Sequence, residues 1–294
     1  MNNNKSLAPF AYTYQNLLQS IIKKYPTSVK PRNFPLKYEI INYSMGFTVD
    51  NISIYSEKHA KAFPMTFALA ELCWILSGSD KVHPLLKPLD KYSVDGLLIG
   101  AYGKRLLNLI PIAIYKLVSD IDTRQCVLPI FQSGDLIFKH PDIPCNTQLQ
   151  FIIRDNRLNM TVTSRSSDIL TGLPIDAFQW QCLFHLILNE LNEIMHNIIK
   201  PGIICYNIGS LHMYSADVPM FEQFVYSSNS KKYEHNISIY QTYSNARDRS
   251  VSKFPNAKNI SNLLEIIDVG SFTQINSIQE IFRNRVHKIS RDAM

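Results

Sequence analysis

The sequence has no C-x-x-C pair, no G-x-G-x-x-G, no phosphate-binding loop ending in Gly-Lys-Ser/Thr and no H-E-x-x-H. Their absence removes the usual signatures of structural zinc, dinucleotide binding, nucleoside triphosphate hydrolysis and zinc proteolysis, and no metal is expected. The five cysteines, Cys73, Cys126, Cys145, Cys182 and Cys205, are odd in number and widely spaced. That pattern predicts reduced thiols rather than a disulfide framework. Long apolar runs are also missing: the most apolar stretch, "FQWQCLFHLILNEL", is interrupted by Gln181, His185 and Asn189, so no membrane span is expected. The opening "MNNNKSLAPF" lacks the basic-then-apolar layout of a signal peptide, and the expected location is the cytoplasm. A formal net charge of +6 is too mild for the dense basic stripe that nucleic acid requires, but it suits a small anionic ligand.

What is present is a chain of 294 residues, 46% hydrophobic and 18% charged, long enough to bury a sizeable core. "YQNLLQSIIKKY" has helical spacing, and "KYEIINYSMGFTV" is β-branched and aromatic enough for a strand. "FPMTFALAELCWILSG" predicts a buried helix closed by Gly78. A loop is expected through "HPLLKPLDKYSVDG". The helical "RLLNLIPIAIYKLVSD" then contains Pro111, which predicts a kink or a division. "QCVLPIF" reads as a strand, and "NTQLQFII" and "LNMTVTS" as two more around the turn "RDNR". Beyond Pro174 runs the longest helical pattern, "DAFQWQCLFHLILNELNEIMHNI", followed by a strand, "GIICYNIGS". These elements predict a single α+β domain over residues 1–294. The last seventy residues, rich in Asn, Ser and Tyr, give no clear pattern.

Four places could carry chemistry. Cys145 follows a proline at the mouth of a strand, where a thiol can border a cavity, although a free cysteine is more often a small buried hydrophobe. Arg165, among the hydroxyls of "TSRSSD", suits a phosphate; a surface ion pair is the plainer reading. Glu71 lies inside an apolar helix, either as a salt-bridged core acid or as a carboxylate tuned by burial for proton transfer. His212 and Tyr214 are two apart and on an extended segment share one face, fit to grip a sugar hydroxyl or simply to pack.

Taken together, "AELCWILSG", "AYGKR", "DIDTRQ", "IPCN", "SRSSDILTGLPID" and "GSLHMYS" resemble the thymidylate synthase family, which includes the deoxycytidylate hydroxymethylases. The likeness covers about residues 32–214, with the segments in family order and at similar spacing. It implies a mixed sheet packed on a long buried helix, a sheet-to-sheet homodimer, a pyrimidine nucleoside monophosphate as substrate and 5,10-methylenetetrahydrofolate as cosubstrate. By the same likeness Cys145 is the nucleophile that adds to C6 of the base, Glu71 serves proton transfer through water, and Tyr102 lines the cysteine's surroundings. Arg165, Ser166 and Arg32 fall on phosphate ligands, and Arg124 on an arginine that crosses to the partner's phosphate. Gln125 replaces a second family arginine. Asp168 falls on the pterin-binding aspartate, with Leu170 to Gly172 nearby, and His212 and Tyr214 on the pair that holds the 3′-hydroxyl.

Thymidylate synthases have asparagine where this chain has Asp176, whereas the deoxycytidylate hydroxymethylases have aspartate. An acceptor-only carboxylate suits the cytosine amino group and a protonated N3. As the first residue of a predicted helix, Asp176 could instead serve as a cap. Asn146 stands where the family has histidine, another change around the base's exocyclic group. "LDKYSVDGLLIG" has no tryptophan where the methyl-forming enzymes have two, and "VHKISRDAM" replaces their apolar tail. A wetter site favours addition of water to the new one-carbon group. The leading expectation is a dCMP 5-hydroxymethylase. The alternatives are a methyl-forming enzyme on dUMP or dCMP, and a catalytically idle nucleotide- or RNA-binding relative.

Overall fold

The computed structural model describes residues 7–31, 34–55, 64–137, 139–196, 198–219, 221 and 234–237. Helix α1, Phe10–Lys24, buries Phe10, Tyr14, Leu17, Leu18 and Ile21, one stripe of an amphipathic helix. Strands β1, Leu36–Thr48, and β2, Ile52–Tyr55, follow. Helix α2, Met65–Ser77, is apolar on nearly every side and stops at Gly78, whose φ of 70° is the left-handed conformation a C-cap glycine supplies.

The expected loop contains a 3₁₀ helix, Pro84–Tyr92. Pro84 starts it, the His83 ring accepts from the Leu85 amide at 3.2 Å, and the wholly buried Leu86 anchors it. Next, the expected helix around Pro111 is two: α3, Tyr102–Leu106, and α4, Leu109–Ser119. The break falls at Leu107 and Asn108 because a proline ring clashes with the carbonyl four residues earlier, here that of Leu107. Within α4, Pro111 lies in the first turn, where the missing N–H has no helical partner to lose.

Strand β3, Val127–Pro129, and the short helix α5, Gly134–Ile137, precede a hairpin. Its strands are β4, Asn146–Arg154, and β5, Arg157–Asp168, joined by Asp155 and Asn156, both at positive φ as a tight primed turn requires. Helix α6, Gly172–Ile194, crosses to β6, Lys200–Tyr214, which pairs parallel to β5. Both β5 and β6 run further than the sequence pattern indicates. The sheet order is β1-β6-β5-β4-β3, while β7, Glu234–Ile237, pairs with β2. Beyond β7, nothing of the C-terminal region is among the described residues.

The sheet is mixed, and α6 is buried along most of its length over it, with Trp180, Phe184, Ile187 and Leu191 in the core beside Val162, Ile204 and Ile208. Buried positions alternate regularly until one transverse row and then change phase. In β5 the change follows Ser164, in β6 it follows Ile208, and in β1 it falls at Asn42, which has a φ of 55°. Gly209 belongs to this row because a Cβ there would lie 2.8 Å from the Arg165 carbonyl oxygen. The kink carries Arg165–Asp168 and Ser210–Tyr214 to the rim of the sheet next to the start of β4. No described helix is long and apolar enough to cross a membrane.

Candidate active site

Cys145 is the last residue before β4. Its carbonyl accepts from the Arg165 amide at 2.8 Å and the Ser164 hydroxyl at 3.1 Å, tying the loop to β5. The Arg165 guanidinium folds over the same loop. Its Nε donates to the Pro144 carbonyl at 2.9 Å, and Nη2 donates to the Ile143 carbonyl at 2.8 Å and lies 3.7 Å from the Cys145 sulfur. A fixed cation at that distance stabilises negative charge on sulfur. Of the other thiols, burial pushes Cys73 up to about 12 and Cys126 up to about 11, and it also raises Cys182 and Cys205.

A bulge between Asn146 and Gln148 returns Asn146 to the buried face of β4. With no solvent exposure, its Nδ2 donates to the Tyr102 hydroxyl at 3.0 Å and to Asp176 Oδ2 at 2.9 Å. The Asn146 amide nitrogen also points at the Tyr102 oxygen, at 3.3 Å. With both contacts donating to it, that hydroxyl keeps its own proton for another acceptor. Gly103 lets α3 approach α2 this closely, since a Cβ there would fall 2.0 Å from the Ile75 carbonyl oxygen.

Asp176 is the fifth residue of α6. The helix starts at Gly172, with Thr171 as the residue before it, so Asp176 is not the cap. This corrects the sequence expectation of a helix beginning at Asp176. One turn away in space, Gln179 donates to the Ala68 carbonyl at 2.8 Å and to Glu71 Oε2 at 3.2 Å. The spacing of three places Asp176 and Gln179 on one helix face. Glu71 and Asp176 are both half-buried. Burial first, then the nearby Asp176 charge, pushes Glu71 up to about 8, with the Gln179 hydrogen bond opposing. Burial pushes Asp176 up to about 7, opposed by the Asn146 hydrogen bond.

The sheet rim carries the remaining groups. Asp168 accepts from the amides of Leu170 at 3.2 Å and Thr171 at 3.0 Å and from the Thr171 hydroxyl, forming the turn into α6 where Leu170 and Gly172 lie. Ser166 pairs with Ser210, and Asp168 with His212, across β5 and β6. The His212 and Tyr214 rings meet edge to face, centroids 5.0 Å apart at 79°. Arg124 is exposed just before β3, the far edge of the sheet, and its carbonyl accepts from Gln150 at 3.1 Å. Gln125 is exposed beside it. Arg32 lies outside the described residues.

Two further residues belong to this neighbourhood. Gln179 has a visible sequence signal, an amide inside an apolar helix. Tyr206 has none, because an aromatic in a strand is ordinary core. It is 1% exposed, its hydroxyl has no partner among the described residues, and burial together with Asp176 and Tyr102 raises it well above the usual phenol range.

A thymidylate synthase family model matches residues 12–258. The chain is similar to the deoxyuridylate hydroxymethyltransferase of Pseudomonas phage M6, 36% identical over 134 residues, 42% of this chain and 37% of the relative. It is also similar to the deoxyuridylate hydroxymethyltransferase of Bacillus phage SP01, 32% identical over 173 residues, covering 51% and 44%. The thymidylate synthase of Wigglesworthia glossinidia brevipalpis is 26% identical over 224 residues, 68% of this chain and 78% of that enzyme. The match thus spans under half the length of the two phage relatives. With most of its length under the family model, the chain belongs to the thymidylate synthase family.

Proposed function

We propose that the protein joins a one-carbon unit to C5 of a pyrimidine nucleoside monophosphate, where water supplies the hydroxyl of the resulting hydroxymethyl group and tetrahydrofolate leaves, with dCMP as the preferred substrate. The observation that carries this reading is the Cys145 sulfur 3.7 Å from Arg165 on one side of Asn146, and the Asp176 carboxyl 2.9 Å from Asn146 on the other. A thiolate at Cys145 adds to C6 of the base, and the charge this develops on the ring is received by the polar groups around Asp176. Arg165 serves both the sulfur and, with Ser166, Arg32 and a partner's Arg124, the phosphate. Glu71, whose carboxyl burial pushes up to about 8, passes a proton through water to the base in this reading.

The cosubstrate read from the family is 5,10-methylenetetrahydrofolate, which supplies the one-carbon group when bound. Asp168 fits the pterin's N–H donors: its Oδ1 accepts from the Leu170 amide, and a carboxylate oxygen has a second lone pair to offer. The hydroxymethyl outcome is supported by the names of the phage relatives and by the lack of tryptophan in residues 89–100.

Base identity turns on Asp176. Ionised, its carboxylate offers only acceptors and suits the cytosine amino group; protonated, it offers one donor and one acceptor, as asparagine does, and suits uracil. The deoxyuridylate relatives and a carboxyl pushed up to about 7 favour dUMP as the second reading. Release of tritium from [5-³H]dCMP and [5-³H]dUMP, with product masses, separates them. The dCMP/dUMP ratio of kcat/KM is expected to rise between pH 6 and 8. Asp176→Asn is expected to lower that ratio roughly ten- to hundred-fold, the scale of one charged hydrogen bond at about 1.5–3 kcal/mol. A ratio that ignores both pH and the substitution would remove Asp176 from base recognition.

A further inference from the structure

Glu39 lies on β1 directly opposite His212 in the β1–β6 register, and Ser210 is two residues from His212 on β6. Long side chains reach such diagonal neighbours across an antiparallel pair. The Ser210 hydroxyl donates to Glu39 Oε1. The same hydroxyl oxygen is 3.5 Å from His212 Nδ1, and the Ser210 carbonyl oxygen is 3.3 Å from that nitrogen.

The direction of this chain follows from the chemistry of its ends. A carboxylate only accepts, so it takes the Ser210 hydroxyl proton; the serine oxygen then has only lone pairs to offer His212. The backbone carbonyl offers only lone pairs too. Both groups facing Nδ1 therefore require a proton on Nδ1, which leaves Nε2 of a neutral ring bare. Without Glu39 the serine proton is free to turn toward Nδ1 and stabilise the opposite tautomer.

We propose that Glu39 is a positioning residue that, through Ser210, holds His212 as the Nδ1–H tautomer, so that Nε2 presents a lone pair to a hydroxyl of the bound nucleotide. The ligand group met at Nε2 is thereby a donor, such as a sugar hydroxyl, and not a phosphate oxygen. This deepens the nucleotide reading above and rests on it only for the identity of that ligand group.

The test begins in the full-length protein without ligand, by ¹⁵N NMR of the histidine side chains, with His212 identified by the signal lost in His212→Gln. In the unsubstituted protein the Nδ1–H form should dominate. Glu39→Ala should raise the Nε2–H form about tenfold, the change a hydrogen bond of ordinary strength produces. Glu39→Gln, whose carbonyl still accepts from Ser210, should keep the original tautomer. Adding Ser210→Ala to Glu39→Ala should restore it, because the competing donor is gone. A single tautomer in all four proteins, each folded by circular dichroism, would overturn the proposal whatever the substrate is. Activity is the second arm. Glu39→Ala should raise KM for the nucleotide several-fold with kcat less affected. A tautomer change with no change in KM would uphold the relay while removing His212 from nucleotide binding.

Discussion

At the scale of single residues, the site depends on groups whose ordinary chemistry is changed by what surrounds them. Cys145 differs from the other thiols less by burial than by its cation: Arg165 Nη2 lies 3.7 Å from its sulfur. Cys145→Ser is expected to abolish tritium release while leaving nucleotide binding measurable by calorimetry, because the proposed phosphate and base contacts lie on other residues. Near-normal turnover would exclude Cys145 as the nucleophile. Glu71 carries a second expectation, on stability. Its carboxyl is near 8 when folded, against an ordinary 4.5. Between those values the folded chain holds a proton that the unfolded chain has lost, so stability falls as pH rises from about 4.5 to 8. Glu71→Gln removes that dependence. It should change little at pH 4.5 and stabilise at pH 8 by on the order of a few kcal/mol, read from denaturant midpoints. An identical pH slope in the two proteins would show that the carboxyl is not desolvated.

At the scale of elements, the helix that carries Tyr102 is fixed by its own neighbour. Arg105, on α3, ties the loop before that helix to the segment after β3: it donates to the Ile99 carbonyl at 2.9 Å, to the Ile130 carbonyl at 2.7 Å and to both Asp135 oxygens. Its side chain and that of Asp135 are 5% and 6% exposed, and the guanidinium holds the Asp135 carboxyl below its usual range. Breaking one side of such a pair strands a buried charge, at about 3–5 kcal/mol. Arg105→Ala should therefore destabilise by that order, and the pair Arg105→Met with Asp135→Leu should recover most of it in chemical denaturation. A cost below about 1 kcal/mol, the level of an exposed ion pair, would mean the clamp is solvated. Tyr102 begins the same short helix, so Arg105→Ala should also lower turnover in the surviving folded protein.

At the scale of the whole molecule, the proposed phosphate site includes an arginine from a second copy of the chain. Arg124 is exposed at the far edge of the sheet, and the proposal has it reach the phosphate bound by a partner. A mixed dimer of Arg124→Ala and Cys145→Ser subunits should regain activity in one of its two sites. Absence of rescue after confirmed subunit exchange would count against a shared site.

The sequence by itself determined the first helix from Tyr14 onward, though not its first turn from Phe10, together with the helix at Met65–Ser77 and the hairpin across Asp155 and Asn156. Local signals set each of these: an apolar stripe, a glycine stop, a turn that tolerates positive φ. Cys145, Glu71, Arg165 and Asp176 were legible too, since each sits in a recognisable short motif. Only the tertiary structure decided how they meet. The bulge that turns Asn146 inward between Tyr102 and Asp176 depends on the β4–β5 register, which no single segment encodes. Placing Asp176 in the fifth position of α6, and so excluding it as a cap, required Gly172, Leu173 and Pro174 to join the helix, against a periodicity that begins after Pro174. The carboxyls near 7 and 8 arise from desolvation where elements more than a hundred residues apart in sequence pack together, α2 carrying Glu71 and α6 carrying Asp176. Burial is a property of packing, and periodicity reports which face of a segment is buried but not what it is buried against.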